Sequence, residues 1–482
     1  MAGPAGKKAA PTVRPKFNWF SLFDHMTGRY VKGKHGAWYM NGGVNHMMGW
    51  AGRGNTFKSA ASGTMMATVA IRYNFEYTEF NDTEISLEAG RIQDYVNCSC
   101  ANNHWEPIDL LSLYQNEENT WLHTAADQQT GDEWWRVNVK DEIDARRSDY
   151  EKGKGLRKTP FVELSGKFRE ILSPWIYQID SFSQMQVDAV DRMYEKGDVG
   201  ESELNTVAMK DMNSKAQLMN QMVLAGPRGH MYFSMVAHAD DSIKMDPYAP
   251  NEKKLGGLKG NLKLKGVPGR QFSFLPNNLF IATASSPLLD KNKDPEFPHP
   301  KATGMGGETD LTIVRFEQLR GKSGPTGACL DLIFSQQEVL LITVTEFWYL
   351  KTICKNFGME VKGNNSGFKL DIYPDVSFSR NTIRKIAKED PKFCRAMAIT
   401  AACAYMQNNW FNMEPECYIS MKELYEKIKA NGFDWDEILG ETVEYWYFED
   451  QAKAIGKPTL TARTLFDMAA GLHKAPYLKT HP

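Results

Sequence analysis

The densest group of chemically capable residues runs Gly52-Arg53-Gly54-Asn55-Thr56-Phe57-Lys58-Ser59. It follows an apolar run and opens a stretch of small residues, AASGTMMATVAIRY, suited to a helix. A turn in that context points successive backbone N–H groups and a helix N-terminus at an anion; a lysine there neutralises outer phosphate oxygens, and a serine hydroxyl can hold magnesium. Gly52, Lys58 and Ser59 fill those three places, so the segment is predicted to cradle phosphate. The pattern G-x-x-x-x-G-K-[ST] fails at one position, where Phe57 replaces glycine. A Gly-rich turn without a ligand is the alternative reading.

Charge is the second feature. The formal net charge of -2 hides two cationic stretches. Residues 1–16 carry Lys7, Lys8, Arg14 and Lys16 without an acid, and 244–270 carries seven basic residues against Asp246 and Glu252. Within the latter, Lys253, Lys254, Lys259, Lys263, Lys265 and Arg270 on a Gly-rich backbone could follow a nucleic-acid phosphate chain, drawing affinity from counterion release. A solvated basic loop is the alternative there. The group Cys98, Cys100 and His104 lacks the second ligand pair of a structural zinc site, and the seven scattered cysteines read as reduced thiols.

The elements that must position these residues follow from hydrophobic patterning. With 482 residues, 42% hydrophobic and 24% charged, the chain has the composition of a globular protein with a main domain and an additional one. It has no apolar run long enough to span a membrane and no secretory signal at its start, so the expectation is the cytoplasm and no membrane partner. From 37 to 335, short apolar runs alternate with amphipathic stretches, which predicts an α/β core with a mostly parallel sheet flanked by helices. The expected strands are 44–49, 76–81, 175–180, 231–237, 278–284, 310–317 and 327–334. The charge-dense stretch 139–160 reads as a surface insertion. Residues 1–36 form a basic arm followed by FNWFSLF (17–23), which is either a docking element or the first core-packing helix. From 336 to 482 a mostly helical domain is expected, with Ser420 and Glu423 forming a capping box ahead of the face Met421, Leu424, Tyr425 and Ile428.

With these landmarks in order, residues 37–335 resemble the RecA-like recombinases, and the Phe-Lys-Ser ending resembles the tailed-phage UvsX type. The resemblance implies a RecA-like ATPase fold and assigns further roles. Glu84, in Phe80-Asn81-Asp82-Thr83-Glu84, matches the carboxylate that activates the attacking water. Asp180, ending Trp175-Ile-Tyr-Gln-Ile-Asp180, matches the acidic strand end beside magnesium, with Gln178 suggesting a less completely buried strand. His238, ending the run from Met231, matches the residue that senses the terminal phosphate. Segments 181–212 and 244–270 correspond to the two DNA-binding loops. Arg320, with Lys322 second, resembles the cation that reaches the ATP of a neighbouring subunit.

The function so implied is a DNA-dependent ATPase that polymerises on single-stranded DNA and promotes strand exchange, with ATP and Mg2+ as cofactors. The expected partners are single-stranded DNA, further copies in a filament rather than a ring, and single-strand-binding and mediator proteins; a phage source would put it in the host-cell cytoplasm. A ring-forming helicase or motor on the same core, and a non-hydrolysing DNA-binding scaffold, are the competing expectations.

Overall fold

The computed structural model describes residues 13–473 apart from 34–35, 85–88, 110–122, 125–129, 196–205, 242–261, 301–309, 325, 364–366 and 411–412. The chain opens with helix α1 (Ser21–Thr27) and the hairpin β1 (Arg29–Lys32) and β2 (Trp38–Asn41). Strand β3 (Met47–Gly52) leads into helix α2 (Lys58–Tyr73), β4 (Tyr77–Asp82), helix α3 (Ala89–Asn103) and the short β5 (His123–Thr124). After a helical stretch come the hairpin β6 (Leu156–Val162) and β7 (Phe168–Leu172), then β8 (Trp175–Asp180). The long helix Val207–Gly229 precedes β9 (Met231–Asp241), and β10 (Leu262–Lys265) pairs back onto β9. Strands β11 (Asn278–Pro287), β12 (Leu311–Gly321), β13 (Cys329–Ser335) and β14 (Val339–Leu340) complete a ten-stranded sheet, nine strands in the order β14-β13-β12-β11-β3-β9-β8-β4-β5 and β10 off this path on β9.

The central strands β11, β3, β9, β8, β4 and β5 run parallel. A parallel sheet must be covered on both faces, and strands covered on both faces read as nearly continuous apolar runs. That is what MMGWAG (47–52) and MYFSMVA (231–237) show. Alternation then divides each strand between two cores. Met48, Trp50, Ile176, Tyr232 and Val236 face α1, α2, α3 and the C-terminal region. Met47, Ala51, Tyr177, Ile179, Phe233 and Met235 face Trp134, the Val207–Gly229 helix and Phe272. Each expected strand is present with ends shifted by a few residues.

Several expectations change. Of the two readings of 17–23, the structure takes the core-packing one, although the helix begins only at Ser21: Phe17, Trp19, Phe20, Leu22 and Phe23 are buried, and Phe23 stacks on Trp50 at 5.5 Å. The stretch 139–160 is more than a surface insertion, because the helix Asp141–Glu151 buries Arg146. Its guanidinium donates to the carbonyls of Gly229 and Ser173 at 2.6 and 2.5 Å, capping the C-terminus of the long helix where a cation is favoured. The region after 336 is helical with one addition, a three-stranded antiparallel sheet of β15 (Met359–Lys362), β16 (Gly367–Leu370) and β17 (Tyr373–Phe378). Ser420 caps its helix as expected, accepting from the Glu423 N–H at 3.1 Å. The core facing α2 continues without a break into Phe393, Met397, Leu424 and Phe466 of that region.

Candidate nucleotide site

The carboxyl ends of β3, β9, β8 and β4 bring Lys58, His238, Asp180 and Glu84 to one edge of the sheet. Register fixes this: Gly52 lies opposite His238, and Asp82 opposite Asp180. In an open parallel sheet such an edge, where helices begin and strands end, is where ligands gather. A cavity of about 400 Å³ opens there, lined by the loop Asn55–Ala60, Glu84, Asp180, Arg91 and Tyr95 of α3, and Gln336.

The loop's geometry explains its sequence. A Cβ on Gly52 would lie 2.7 Å from Thr56 Oγ1 and 3.0 Å from Ala282 Cβ, so only glycine fits. Phe57 sits at φ 53° and ψ 20°, the left-handed conformation that glycine adopts without strain. Its ring stacks on Phe334 with centroids 4.9 Å apart, which compensates for the backbone. The missing pattern glycine is therefore replaced by a side chain that docks on β13. Gly54 has open space where a Cβ would sit and answers to no such constraint. Thr56 Oγ1 and Lys58 Nζ both donate to the Arg53 carbonyl, at 2.8 and 3.2 Å, folding the loop on itself.

The charges at the site are mutually adjusted. Burial lowers the Lys58 pKa, opposed by Asp180 and Glu84. Burial pushes Asp180 up to about 6, against the hydrogen bond it receives from Ser59. Asp180 Oδ2 is buried without a hydrogen-bond partner. An orphaned carboxylate oxygen beside a serine hydroxyl is the donor set a hard divalent cation takes, so Ser59 and Asp180 fit magnesium. Burial raises Glu84, but hydrogen bonds from Ser181 and His238 outweigh it and hold the carboxyl below its usual range. Ser181 Oγ donates to Glu84 Oε1 at 2.6 Å, and His238 Nε2 lies 2.6 Å from the same oxygen. Thr83 locks this corner, its hydroxyl donating to the Ser181 carbonyl at 2.6 Å while accepting from the Ser181 N–H at 3.0 Å.

Other predicted residues fall elsewhere or differ from expectation. Gln178 does not loosen its strand: it is fully buried, and its Oε1 accepts from Ser62 Oγ of α2 at 2.7 Å, a partner supplied by the helix above. Arg320 stands level with Leu279 and hence with Gly49, roughly 10 Å back from Gly52 toward the opposite edge. Its guanidinium lies 5.7 Å from the Phe274 ring, outside the cavity of its own chain. Lys322 is beside it and is pushed down by burial, Arg320 and Arg14.

Lys253, Lys254 and Lys259 lie outside the described residues. The loop expected over 244–270 has regular structure at its end: Lys263 and Lys265 belong to β10, Lys265 pairs with Asp240, and Arg270 is exposed in the helix Gly269–Phe274. Helices Asp188–Tyr194 and Val207–Gly229 likewise reach into 181–212, and the second is anchored farther along by Leu218, Met219, Met222 and Ala225 in the core that holds Trp134. Cys98 and Cys100 are buried, while His104 Nε2 turns to Cys394 Sγ at 3.4 Å, so the three do not converge.

Sequence reading missed Ser181, Thr83, Arg91, Tyr95 and Gln336. Ser181 directly follows Asp180, and that adjacency was the available signal; Gln336 arrives from a strand more than 250 residues downstream of the loop. No protein-family model matches the chain, and no curated protein matches it.

Proposed function

We propose that the protein is an ATP-dependent DNA recombinase of RecA-like type that assembles on single-stranded DNA. The observation that carries this reading is the meeting of Lys58, Ser59, Asp180 and Glu84 around one cavity at the carboxyl edge of a parallel sheet, with His238 bonded to Glu84 behind it. Those groups come from four separate stretches of the sequence and match the parts that phosphoryl transfer requires. The loop N–H groups and Lys58 hold the phosphates, and Ser59 and Asp180 hold magnesium, which supplies charge neutralisation when bound. Glu84 aligns a water with the terminal phosphorus. As its oxygen bonds to phosphorus, the water proton passes to the carboxylate, the bond to the bridging oxygen breaks, and ADP leaves with the electron pair. His238, bonded to Glu84 and standing in β9, relays the state of the phosphate toward β10 and the cationic segment, whose lysines grip the DNA backbone.

The test is ATP hydrolysis with and without single-stranded DNA at low and moderate salt. Salt-sensitive stimulation is expected, with Lys58→Ala abolishing both nucleotide binding and turnover. Glu84→Gln should keep binding and slow turnover by about 10²- to 10³-fold, as loss of a general base does. Full turnover without DNA would reject the coupling, and absent turnover in every condition would leave a DNA-binding scaffold.

A further inference from the structure

Lys215 is a buried lysine with no part in the nucleotide cavity, 2% exposed at its side chain. It projects from the long helix Val207–Gly229, and each of the three N–H donors of its ammonium has an acceptor. Nζ donates to the Ser183 carbonyl at 3.0 Å and to the Gly266 carbonyl at 2.9 Å, and it pairs with Asp211 Oδ2 at 3.1 Å. Ser183 lies near the start of the segment between β8 and the long helix, and Gly266 directly follows β10 near the end of the segment between β9 and the helix Gly269–Phe274. The two backbones touch, since a Cβ on Gly266 would lie 2.5 Å from the Ser183 carbonyl oxygen. Ser183 Oγ completes the junction, donating to the Lys265 carbonyl at 2.8 Å while accepting from the His238 N–H at 2.8 Å. His238 in turn faces Lys265 across the β9–β10 ladder.

We propose that Lys215 is a positioning residue that bolts the roots of both segments to the backbone of His238, so that a change at His238 moves the two together. Two carbonyl oxygens gathered within hydrogen-bond reach of one point repel, and a cation at that point converts the repulsion into a shared anchor. Burial lowers the Lys215 pKa and Asp211 opposes it, so an ammonium here meets a desolvation cost that an ordinary packing residue would avoid. The joint anchor is a matter of geometry; only the identity of the ligand that His238 answers to rests on the ATP and DNA reading above.

Hydrogen exchange on the full chain, with and without Mg-ATP, tests it, using wild type, Lys215→Met and Ser183→Ala. In Lys215→Met the amides of 181–186 and 262–267 are expected to exchange at least tenfold faster, both together, while 52–59 is unchanged. With Mg-ATP, wild type should gain protection at both roots as well as at 52–59, and Lys215→Met at 52–59 alone. Unchanged exchange at both roots, or loosening of one root only, overturns the proposal. So does nucleotide-linked protection that persists at both roots in Lys215→Met. Where Lys215→Met does not fold by circular dichroism, Ser183→Ala replaces it, with about threefold joint loosening expected and wild-type exchange overturning the idea. Absence of any Mg-ATP effect in wild type would reject the nucleotide reading alone, and the basal arm would still decide the anchor.

Discussion

The two edges of the central sheet treat their cations in opposite ways. At the carboxyl edge, Lys58 is balanced by Asp180 and Glu84, and Glu84 is held by Ser181 and His238. At the other edge the charges acting on Lys322 are Arg320 and Arg14, and the charge acting on Lys16 is Arg29. Lys16 and Arg29 both bond to Ser323, which gathers these cations around one turn. Exposed Phe274 stands under Arg320. The first edge satisfies its charges internally and can exchange them for a ligand. The second leaves cations crowded against one another, an arrangement that gains free energy when an external anion arrives.

Arg320→Ala breaks this comparison most sharply. If Arg320 acts on the nucleotide of a neighbouring copy, its loss should lower turnover on the order of 10³-fold at concentrations where copies associate on DNA. It should leave nucleotide binding by the dilute protein unchanged, and a titration of turnover against protein concentration reads both. Equal loss at every concentration would place Arg320 in a purely structural role.

Asp180→Asn probes the balanced edge from within. With its folded pKa raised to about 6, the carboxyl holds its proton longer folded than unfolded. The stabilisation this gives is present below about pH 4 and is lost as pH rises through about 6, leaving an ionised, buried group at neutral pH. The asparagine should therefore raise the melting temperature at pH 8 more than at pH 5. The upper bound is about 3 kcal/mol for a shift of roughly two units, reduced by the weakened Ser59 bond. Magnesium-dependent nucleotide binding should fall at the same time. Thermal melts at the two pH values decide it, and an equal or reversed gain would contradict the burial argument.

The smallest effect expected concerns Phe57. Phe57→Ala loses the stacking on Phe334 and keeps a left-handed backbone, whereas Phe57→Gly loses the stacking and relieves the backbone. Glycine should thus cost about 1 kcal/mol less stability than alanine. Urea unfolding of the two variants measures the difference, and a less stable glycine variant would show that φ strain is not what the Phe334 contact offsets.

Much of the architecture was legible in the residues. Apolar runs such as MMGWAG and WIYQID mark strands because a sheet covered on both faces requires side chains on both faces to be apolar. The Ser420 cap and the helix after it depend on neighbours three and four residues away, which local sequence contains. The chain likewise specifies a glycine-bearing loop ending in Lys58-Ser59 ahead of a helix. Tertiary structure alone decided the rest, since each outcome depends on a partner distant in sequence. Gln178 looked like a flaw in its strand until Ser62 of α2 supplied a hydrogen bond across 116 residues. Phe57 looked like a mismatch until Phe334 arrived beneath it, and FNWFSLF could not be placed until Trp50 and the C-terminal region closed over it. Periodicity reports which face of an element is apolar, but which distant group meets that face is set by strand order and register.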